Sequence, residues 1–140
     1  EASQAGVRID LIVRGICCLI PGRKYSRNIR VTRIVDTFLE HARVWYFGNG
    51  GKPKLFLGSP DWMRRNLYRR IEAVTPILDP DLKRELSDML SIQLSDKRKA
   101  CFVDDHLRNR WKSARPQKEK VRAQYTFYEY LKSGELRVES

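Results

Sequence analysis

The stretch VRIDLIVR at residues 7–14 decides the fold class, because it is a run of β-branched residues and leucine that follows a glycine. Such a run predicts a buried strand. Further strands are predicted at 43–47 (RVWYF) and 54–57 (KLFL), and the GNGG turn at 48–51 joins them in a hairpin. Helical patterns alternate with these strands, so the sequence predicts a mixed α/β fold.

The other elements follow from periodicity and capping signals. Apolar residues at helical spacing predict a helix over 29–40, capped by Asn28. Asp79 followed by proline predicts the start of a helix that runs to about residue 94. The remaining predicted elements are a short helix or turn at 63–67, strands at 70–75 and 100–103, a polar loop or broken helix at 104–116 and a helix at 118–132. Since no linker or repeat interrupts the pattern, we expect one domain over residues 1–140.

Charge is distributed unevenly along the 140 residues, whose formal net charge is +11. Residues 1–75 contain 14 basic and 6 acidic side chains, whereas residues 76–140 contain 14 and 11. The excess in the first half is mostly arginine and indicates an anionic partner. A hydrophobic share of 41% excludes a disordered basic tail. The longest uncharged apolar run, 15–22, is too short to span a membrane, and three cysteines are too few for a disulfide framework.

Five side chains are candidates for phosphate chemistry. Arg14 closes the first predicted strand, and the carboxyl ends of such strands line the usual ligand crevice of α/β proteins. His41 lies where the predicted helix meets the next strand, and an imidazole there suits phosphate contact or proton donation. Arg43, Ser59 and Arg70 complete the set. The alternative interpretation is that His41 is a solvated histidine and that the arginines form an ordinary basic surface. The sequence contains neither a Walker A loop nor a zinc-ligand spacing.

Two motifs in this order resemble the H-x-K and G-S-x-N signature of the phospholipase D-like superfamily. They are HAR at 41–43 and GSPD at 58–61, with Arg43 in the lysine position and Asp61 in the asparagine position. Longer strings resemble the C-terminal part of bacterial polyphosphate kinase: IDLIVRGICCL (9–19), NIRVTRIVDTFLEHARVWYF (28–47), GSPDWMRRNLYRRIEAVTPI (58–77) and KVRAQYTFYEYLKS (120–133). This resemblance implies a phospholipase D-like mixed sheet flanked by helices, lacking its first elements.

The resemblance also implies an activity, namely reversible transfer of the terminal phosphoryl of ATP to inorganic polyphosphate through a phosphohistidine in a preceding domain. It implies that Arg14 and Arg70 bind phosphate, and that His41 contacts phosphate and assists the transfer as an acid. Mg²⁺ is the implied cofactor, with ligands outside residues 1–140. ATP, ADP and polyphosphate are the implied partners of a cytoplasmic homo-oligomer that does not bind nucleic acid. Peripheral association with a membrane stays open.

Two other classes of protein stay open from the residues themselves. A phospholipase D-like phosphodiesterase or nuclease would need a second His-x-Lys motif from another domain or subunit. A basic nucleic-acid-binding module would expose aromatic side chains among the arginines for base stacking. Its affinity for oligonucleotides would also fall with rising salt concentration.

The isolated 140 residues are expected to be inactive in ATP-dependent polyphosphate synthesis. The chain begins at Glu1 rather than Met, so we expect it to be part of a longer protein. The nucleophilic histidine that the resemblance implies belongs to a preceding domain. Incorporation of labelled phosphate into polymer measures the activity, and detectable synthesis by this chain alone would contradict the expectation.

Overall fold

The computed structural model describes residues 1–113 and 121–138, with side chains up to Ser133. Strands and helices alternate along this part of the chain. In chain order they are β1 (Ile9–Ile12), β2 (Ile29–Ile34), β3 (Val44–Phe47), β4 (Lys54–Gly58), α1 (Arg64–Arg69), β5 (Val74–Ile77), α2 (Pro80–Ser95), β6 (Ala100–Val103), β7 (Asn109–Trp111) and α3 (Ala123–Val138).

The elements belong to two compact units. Unit 1 comprises Glu1–Leu39 and Ser91–Ser140, and unit 2 comprises Glu40–Leu90. Unit 1 contains a sheet in the order β1-β2-β6-β7, in which β1 and β2 are parallel and the other neighbours are antiparallel. Unit 2 contains an antiparallel sheet in the order β3-β4-β5. The predicted mixed α/β class is confirmed, and the single domain over residues 1–140 stays a prediction.

The helix predicted over residues 29–40 is wrong, because β2 occupies the first half of this segment. β2 lies between β1 and β6, so both of its edges are hydrogen-bonded, and Val31 and Thr32 are each only 1% exposed. Its many β-branched residues fit a central strand better than a helix. Asn28 consequently caps no helix, and its side-chain amide donates to the carbonyl oxygen of Ser3 at 2.7 Å.

The strand predicted at 70–75 is displaced in the structure, where β5 covers Val74–Ile77 and includes Pro76. Proline was expected to end the strand because it lacks an N–H group. Ser59 N–H donates to Ala73 O at 3.0 Å, so the pair Ser59 and Ala73 is a hydrogen-bonded pair of the β4–β5 ladder. In an antiparallel ladder only every second residue pair is hydrogen-bonded. The pair Phe56 and Pro76 therefore falls between hydrogen-bonded pairs, and the missing N–H would have pointed away from β4. Proline is tolerated in such outer strands.

Two boundaries near the end of the chain also differ from the sequence prediction. β7 (Asn109–Trp111) lies inside the predicted loop at 104–116, where a polar three-residue strand gives no periodic signal. Of that loop, residues 114–116 lie outside the described part of the chain, as do residues 118–120 of the predicted last helix. The observed helix α3 begins at Ala123.

The predicted start of α2 is confirmed at the level of hydrogen bonds. Asp79 Oδ1 accepts the backbone N–H groups of Asp81 at 2.8 Å and Leu82 at 3.0 Å. Pro80 is the first helical residue, where a missing N–H leaves no helical hydrogen bond unmade. The capping signal in the sequence therefore located this helix correctly.

Asp36 and Gln124 hold the segment that follows β2 against the start of α3. Asp36 is 1% exposed at its side chain, and its carboxylate accepts from Arg122 Nε at 2.8 Å and Nη2 at 2.6 Å. These hydrogen bonds hold the pKa of Asp36 below its usual value. The side-chain amide of Gln124 also accepts from Phe38 N–H at 2.9 Å and donates to Phe38 O at 2.7 Å. The backbone of Phe38 is thus paired as it would be in a strand.

Asp96, which follows α2 directly, joins two further elements through one fully buried carboxylate. Its Oδ1 accepts the backbone N–H groups of Arg98 at 2.8 Å, Lys99 at 2.7 Å and Ala100 at 3.0 Å. Its Oδ2 accepts the N–H of Ala123 at 2.7 Å. The start of β6 and the start of α3 therefore share one acceptor group, which directly follows α2.

Replacing Asp96 is expected to destabilise the protein strongly. Asp96→Ala would leave the four backbone donors without their acceptor, at a cost of about 3–5 kcal/mol. Asp96→Asn keeps one acceptor oxygen and should cost roughly 1–2 kcal/mol. Urea denaturation measures the free energy of unfolding. Asp105→Ala in the exposed β6–β7 turn is the control, and equal stability of Asp96→Ala and this control would contradict the assignment.

Candidate functional site

His41 lies just before β3 in unit 2, and its side chain is exposed to solvent. Arg43 fixes the backbone at this position, since its Nη1 donates to the carbonyl oxygen of His41 at 2.7 Å. The Nε of the same guanidinium donates to Asp61 Oδ1 at 3.1 Å. Arg43 therefore ties the histidine segment to the loop after β4, and Asp61 balances part of its charge.

Glu72 is the centre of a hydrogen-bonded cluster in the same unit. The Ser59 hydroxyl donates to Glu72 Oε2, and Asn66 Nδ2 donates to Glu72 Oε1 at 2.6 Å. Ser59 Oγ in turn accepts the N–H of Ala73 at 3.1 Å. One carboxylate thus connects the end of β4, helix α1 and the segment that leads into β5.

The surroundings of Glu72 favour its ionised form. The hydrogen bond from Ser59 is the largest cause that lowers the pKa of Glu72, followed by the hydrogen bond from Asn66. The positive charges of Arg70 and Arg43 lower this pKa further. We call Arg43, Ser59, Asn66, Arg70 and Glu72 the Glu72 cluster. It places two guanidinium groups within electrostatic range of one anion.

Arg70 is the residue of the cluster that can accept a further anion. It follows the last residue of α1, and its side chain is exposed. Within the part of the chain that the structure describes, its guanidinium makes no hydrogen bond. Since a guanidinium has five N–H donors in a planar fork that matches phosphate oxygens, Arg70 is suited to bind a phosphoryl group.

Arg14 lies in unit 1, two residues after the end of β1 and exposed to solvent. Arg33 holds the turn next to it, because its Nη2 donates to Gly15 O at 2.9 Å and its Nη1 donates to Asn109 Oδ1 at 2.9 Å. β1 ends at Ile12, two residues before the end of the strand predicted at 7–14. Arg14 nevertheless follows the carboxyl end of a strand in the parallel pair β1–β2, where α/β proteins bind ligands.

Unit 2 therefore contains four of the five predicted residues, namely His41, Arg43, Ser59 and Arg70, and Arg14 belongs to unit 1. Their roles in phosphate binding stay predictions. Two residues of the site, Asn66 and Glu72, were missed by the sequence analysis. A signal for Glu72 was available, because it is the only acidic residue between Asp61 and Asp79 in a run rich in arginine.

Among residues 1–113 and 121–138, no three His, Cys, Asp or Glu side chains gather in a group that could hold a metal ion. No helix in those ranges is long and apolar enough to cross a bilayer.

The α/β fold, with His41 before β3 and Ser59 directly after β4, matches the phospholipase D-like class that the comparisons below identify. The family "Polyphosphate kinase C-terminal domain 2" matches residues 1–124. The chain belongs to this family.

Known proteins similar to the chain carry the same name. Polyphosphate kinase of Escherichia coli strain K12 is 50% identical over 135 residues, which are 96% of this chain and 20% of that protein. Polyphosphate kinase of Synechocystis is 59% identical over 100 residues, covering 71% of this chain and 14% of that protein. A crystal structure of polyphosphate kinase from Porphyromonas gingivalis superposes with a TM-score of 0.92 and 58% identity, covering 97% of this chain and 21% of that one. The chain thus spans about a fifth of the length of relatives such as the E. coli protein.

Removing the Ser59 hydroxyl is expected to raise the pKa of Glu72 towards the ordinary glutamate value of about 4.3. Ser59 supplies the largest cause of the lowered pKa, so Ser59→Ala should shift the titration midpoint upwards. Because the folded pKa is lowered, the carboxylate stabilises the fold above about pH 4.3 and this contribution is lost as the pH falls through the folded value. An NMR titration of the Glu72 carboxyl carbon measures the midpoint. Ser87→Ala in α2 is the control, and an unchanged midpoint in Ser59→Ala would contradict the cluster.

Proposed function

We propose that this chain supplies part of the phosphoryl-transfer site of a polyphosphate kinase. The reaction is reversible transfer of the terminal phosphoryl of ATP to inorganic polyphosphate, which yields ADP and a chain that is longer by one phosphate. The observation that carries the proposal is an exposed His41 whose backbone is fixed by Arg43, in the same unit as Arg70. The names of the relatives and of the similar crystal structure support the choice of substrates.

Arginine is the residue that this reaction needs most at its phosphate site. Phosphoryl transfer spreads negative charge over the equatorial oxygens of the transferred group, and catalysis consists mainly of positioning and electrostatic stabilisation. In our proposal Arg14 and Arg70 bind phosphate oxygens through their exposed guanidinium groups. Their planar donor forks orient the phosphate and offset its charge.

His41 acts as an auxiliary acid in this proposal. Its imidazole contacts the phosphates of ATP and donates a proton to a phosphate oxygen as the terminal phosphoryl leaves. Such proton transfer typically accelerates an enzymatic reaction about 10²–10⁴-fold. The phosphohistidine intermediate forms on a histidine outside this chain. Arg43 serves as a positioning residue, because it is bonded to the carbonyl oxygen of His41 and to Asp61.

The remaining parts of the proposal concern groups outside the described residues. Mg²⁺ is the cofactor we propose, held by ligands that this chain does not supply, and it neutralises phosphate charge when bound. We place the full-length protein in the cytoplasm as a homo-oligomer that uses ATP, ADP and polyphosphate and does not act on nucleic acid. Peripheral membrane association is part of the same proposal.

His41→Ala in the intact protein is expected to lower kcat for polyphosphate synthesis by roughly 10²–10⁴ while the fold is unchanged, because the proton donor is lost. Turnover is measured by ADP release with a polyphosphate primer, and circular dichroism checks the fold. His106→Ala is the matched control, since His106 is also exposed but lies in the β6–β7 turn. Equal turnover of the two variants and the parent protein would overturn the assignment of His41.

A further inference from the structure

One face of the sheet in unit 1 contains a cleft of about 210 Å³ that the site described above does not use. Its lining includes the four cations Arg8, Arg30, Lys97 and Lys112, together with the aromatic ring of Phe102. This volume is several times the ~30 Å³ that a water molecule occupies in the liquid, so a phosphoryl group with bound water fits. We call these five residues the sheet-face cleft.

The strand register explains why these residues share one face. Asp10 of β1 lies opposite Arg30 of β2, and Thr32 of β2 lies opposite Phe102 of β6. Side chains two residues apart on a strand point to the same side, so Arg30 and Thr32 share a face. Phe102 also lies opposite Arg110 of β7, which extends the basic character of this face across the sheet.

Phe102 orders two of the cations before any ligand binds. The Arg30 guanidinium carbon lies 5.4 Å from the centre of the ring, and the Lys112 ammonium lies 5.0 Å from it. Both distances are within the range of a cation–π interaction. Two like charges on one ring repel each other, and an anion between them would relieve that repulsion. Holding the side chains in place also reduces the entropy cost of binding.

Two carboxylates, Asp10 and Asp96, also line the cleft, and each already accepts hydrogen bonds from the chain, Asp10 from the cleft cation Arg8. Asp10 Oδ2 accepts from Arg8 Nε at 2.9 Å, and the two oxygens of Asp96 accept four backbone N–H groups. The Lys112 ammonium donates to Leu94 O at 2.9 Å, which leaves two of its three N–H groups available. Burial lowers the pKa of Lys112, and the charge of Arg30 lowers it further. The negative charge of a bound anion would raise the pKa of Lys112 and so favour its charged form.

We propose that the sheet-face cleft binds a segment of a condensed phosphate chain, and so forms a second phosphate site within unit 1. The identity of the anion rests on the proposed function, whereas the binding of a phosphoryl group rests on the cations alone. A chain of linked phosphates contacts several cations at once, which favours it over single phosphate ions. Nucleic acid is disfavoured because Arg30 and Lys112 occupy the Phe102 ring, on which a base would have to stack.

The test is polyphosphate binding by the intact protein with both ring-bound cations neutralised. Arg30→Gln combined with Lys112→Gln should weaken binding of linear polyphosphate of defined length roughly tenfold at low salt, since two ionic contacts are lost. The dependence of affinity on salt concentration should become shallower for the same reason. Calorimetry measures both, with tripolyphosphate and orthophosphate as shorter probes. Unchanged affinity for polyphosphate would overturn the proposal.

Two further variants guard against loss of fold and against a general charge effect. Lys52→Gln combined with Lys54→Gln removes the same charge from the β3–β4 hairpin of unit 2 and should change the affinity less than twofold. The charge-preserving pair Arg30→Lys with Lys112→Arg should bind within about threefold of the parent. An equal loss in the hairpin control would overturn the proposal. Weaker binding of single-stranded oligonucleotide but not of polyphosphate would overturn it as well.

The outcome separates this proposal from the proposed function. Neither Arg30 nor Lys112 is assigned to the transfer step, so turnover tests the proposed function and polyphosphate affinity tests the cleft. If His41→Ala leaves turnover intact while the double variant weakens polyphosphate binding, the proposed function fails and the cleft stands. If His41→Ala lowers turnover while the double variant binds normally, the cleft fails and the proposed function stands.

Discussion

Unit 1 depends most on the hydrogen bonds that the buried carboxylate of Asp96 accepts from backbone N–H groups. Its two oxygens accept backbone donors from the start of β6 and from the start of α3, directly after the end of α2. A buried backbone N–H without an acceptor is costly, so four donors on one side chain make these three elements interdependent. β6 is hydrogen-bonded to β2 and β7, and β2 is hydrogen-bonded to β1. The position of β6, which Asp96 fixes, therefore influences the position of all four strands.

The same four-stranded sheet holds positive charge at two places. At the carboxyl end of β1, Arg33 fastens the turn that presents Arg14. On one face of the sheet, Phe102 gathers Arg30 and Lys112 from β2 and from the end of β7. The excess of positive charge in residues 1–75 predicted that an anion binds to the first half of the chain. The cations of the cleft come from both halves, namely Arg8 and Arg30 from the first and Lys97 and Lys112 from the second. Strand pairing between distant segments is the reason for this difference.

Local signals predicted the elements that are defined by local chemistry. The Asp79-Pro80 cap, the hairpin of β3 and β4, and the strand β6 were all placed correctly. The segment at 29–40 was misread because its apolar residues also fit a helical period, whereas the pairing of β2 with two neighbours is not visible in its own sequence. Asn66 and Glu72 were missed for a similar reason. They are brought to Ser59 by the path of the chain through α1, not by a motif.

Pro76 in β5 has a consequence for how unit 2 behaves towards other chains. β5 is one of the two outer strands of its sheet, and an outer strand normally presents free N–H and C=O groups that can recruit a further strand from another molecule. Because the nitrogen of Pro76 lies on the side away from β4, that exposed edge lacks a donor in its middle. Pairing of a further strand along β5 is therefore disfavoured, because the ladder that it would form lacks one hydrogen bond at Pro76.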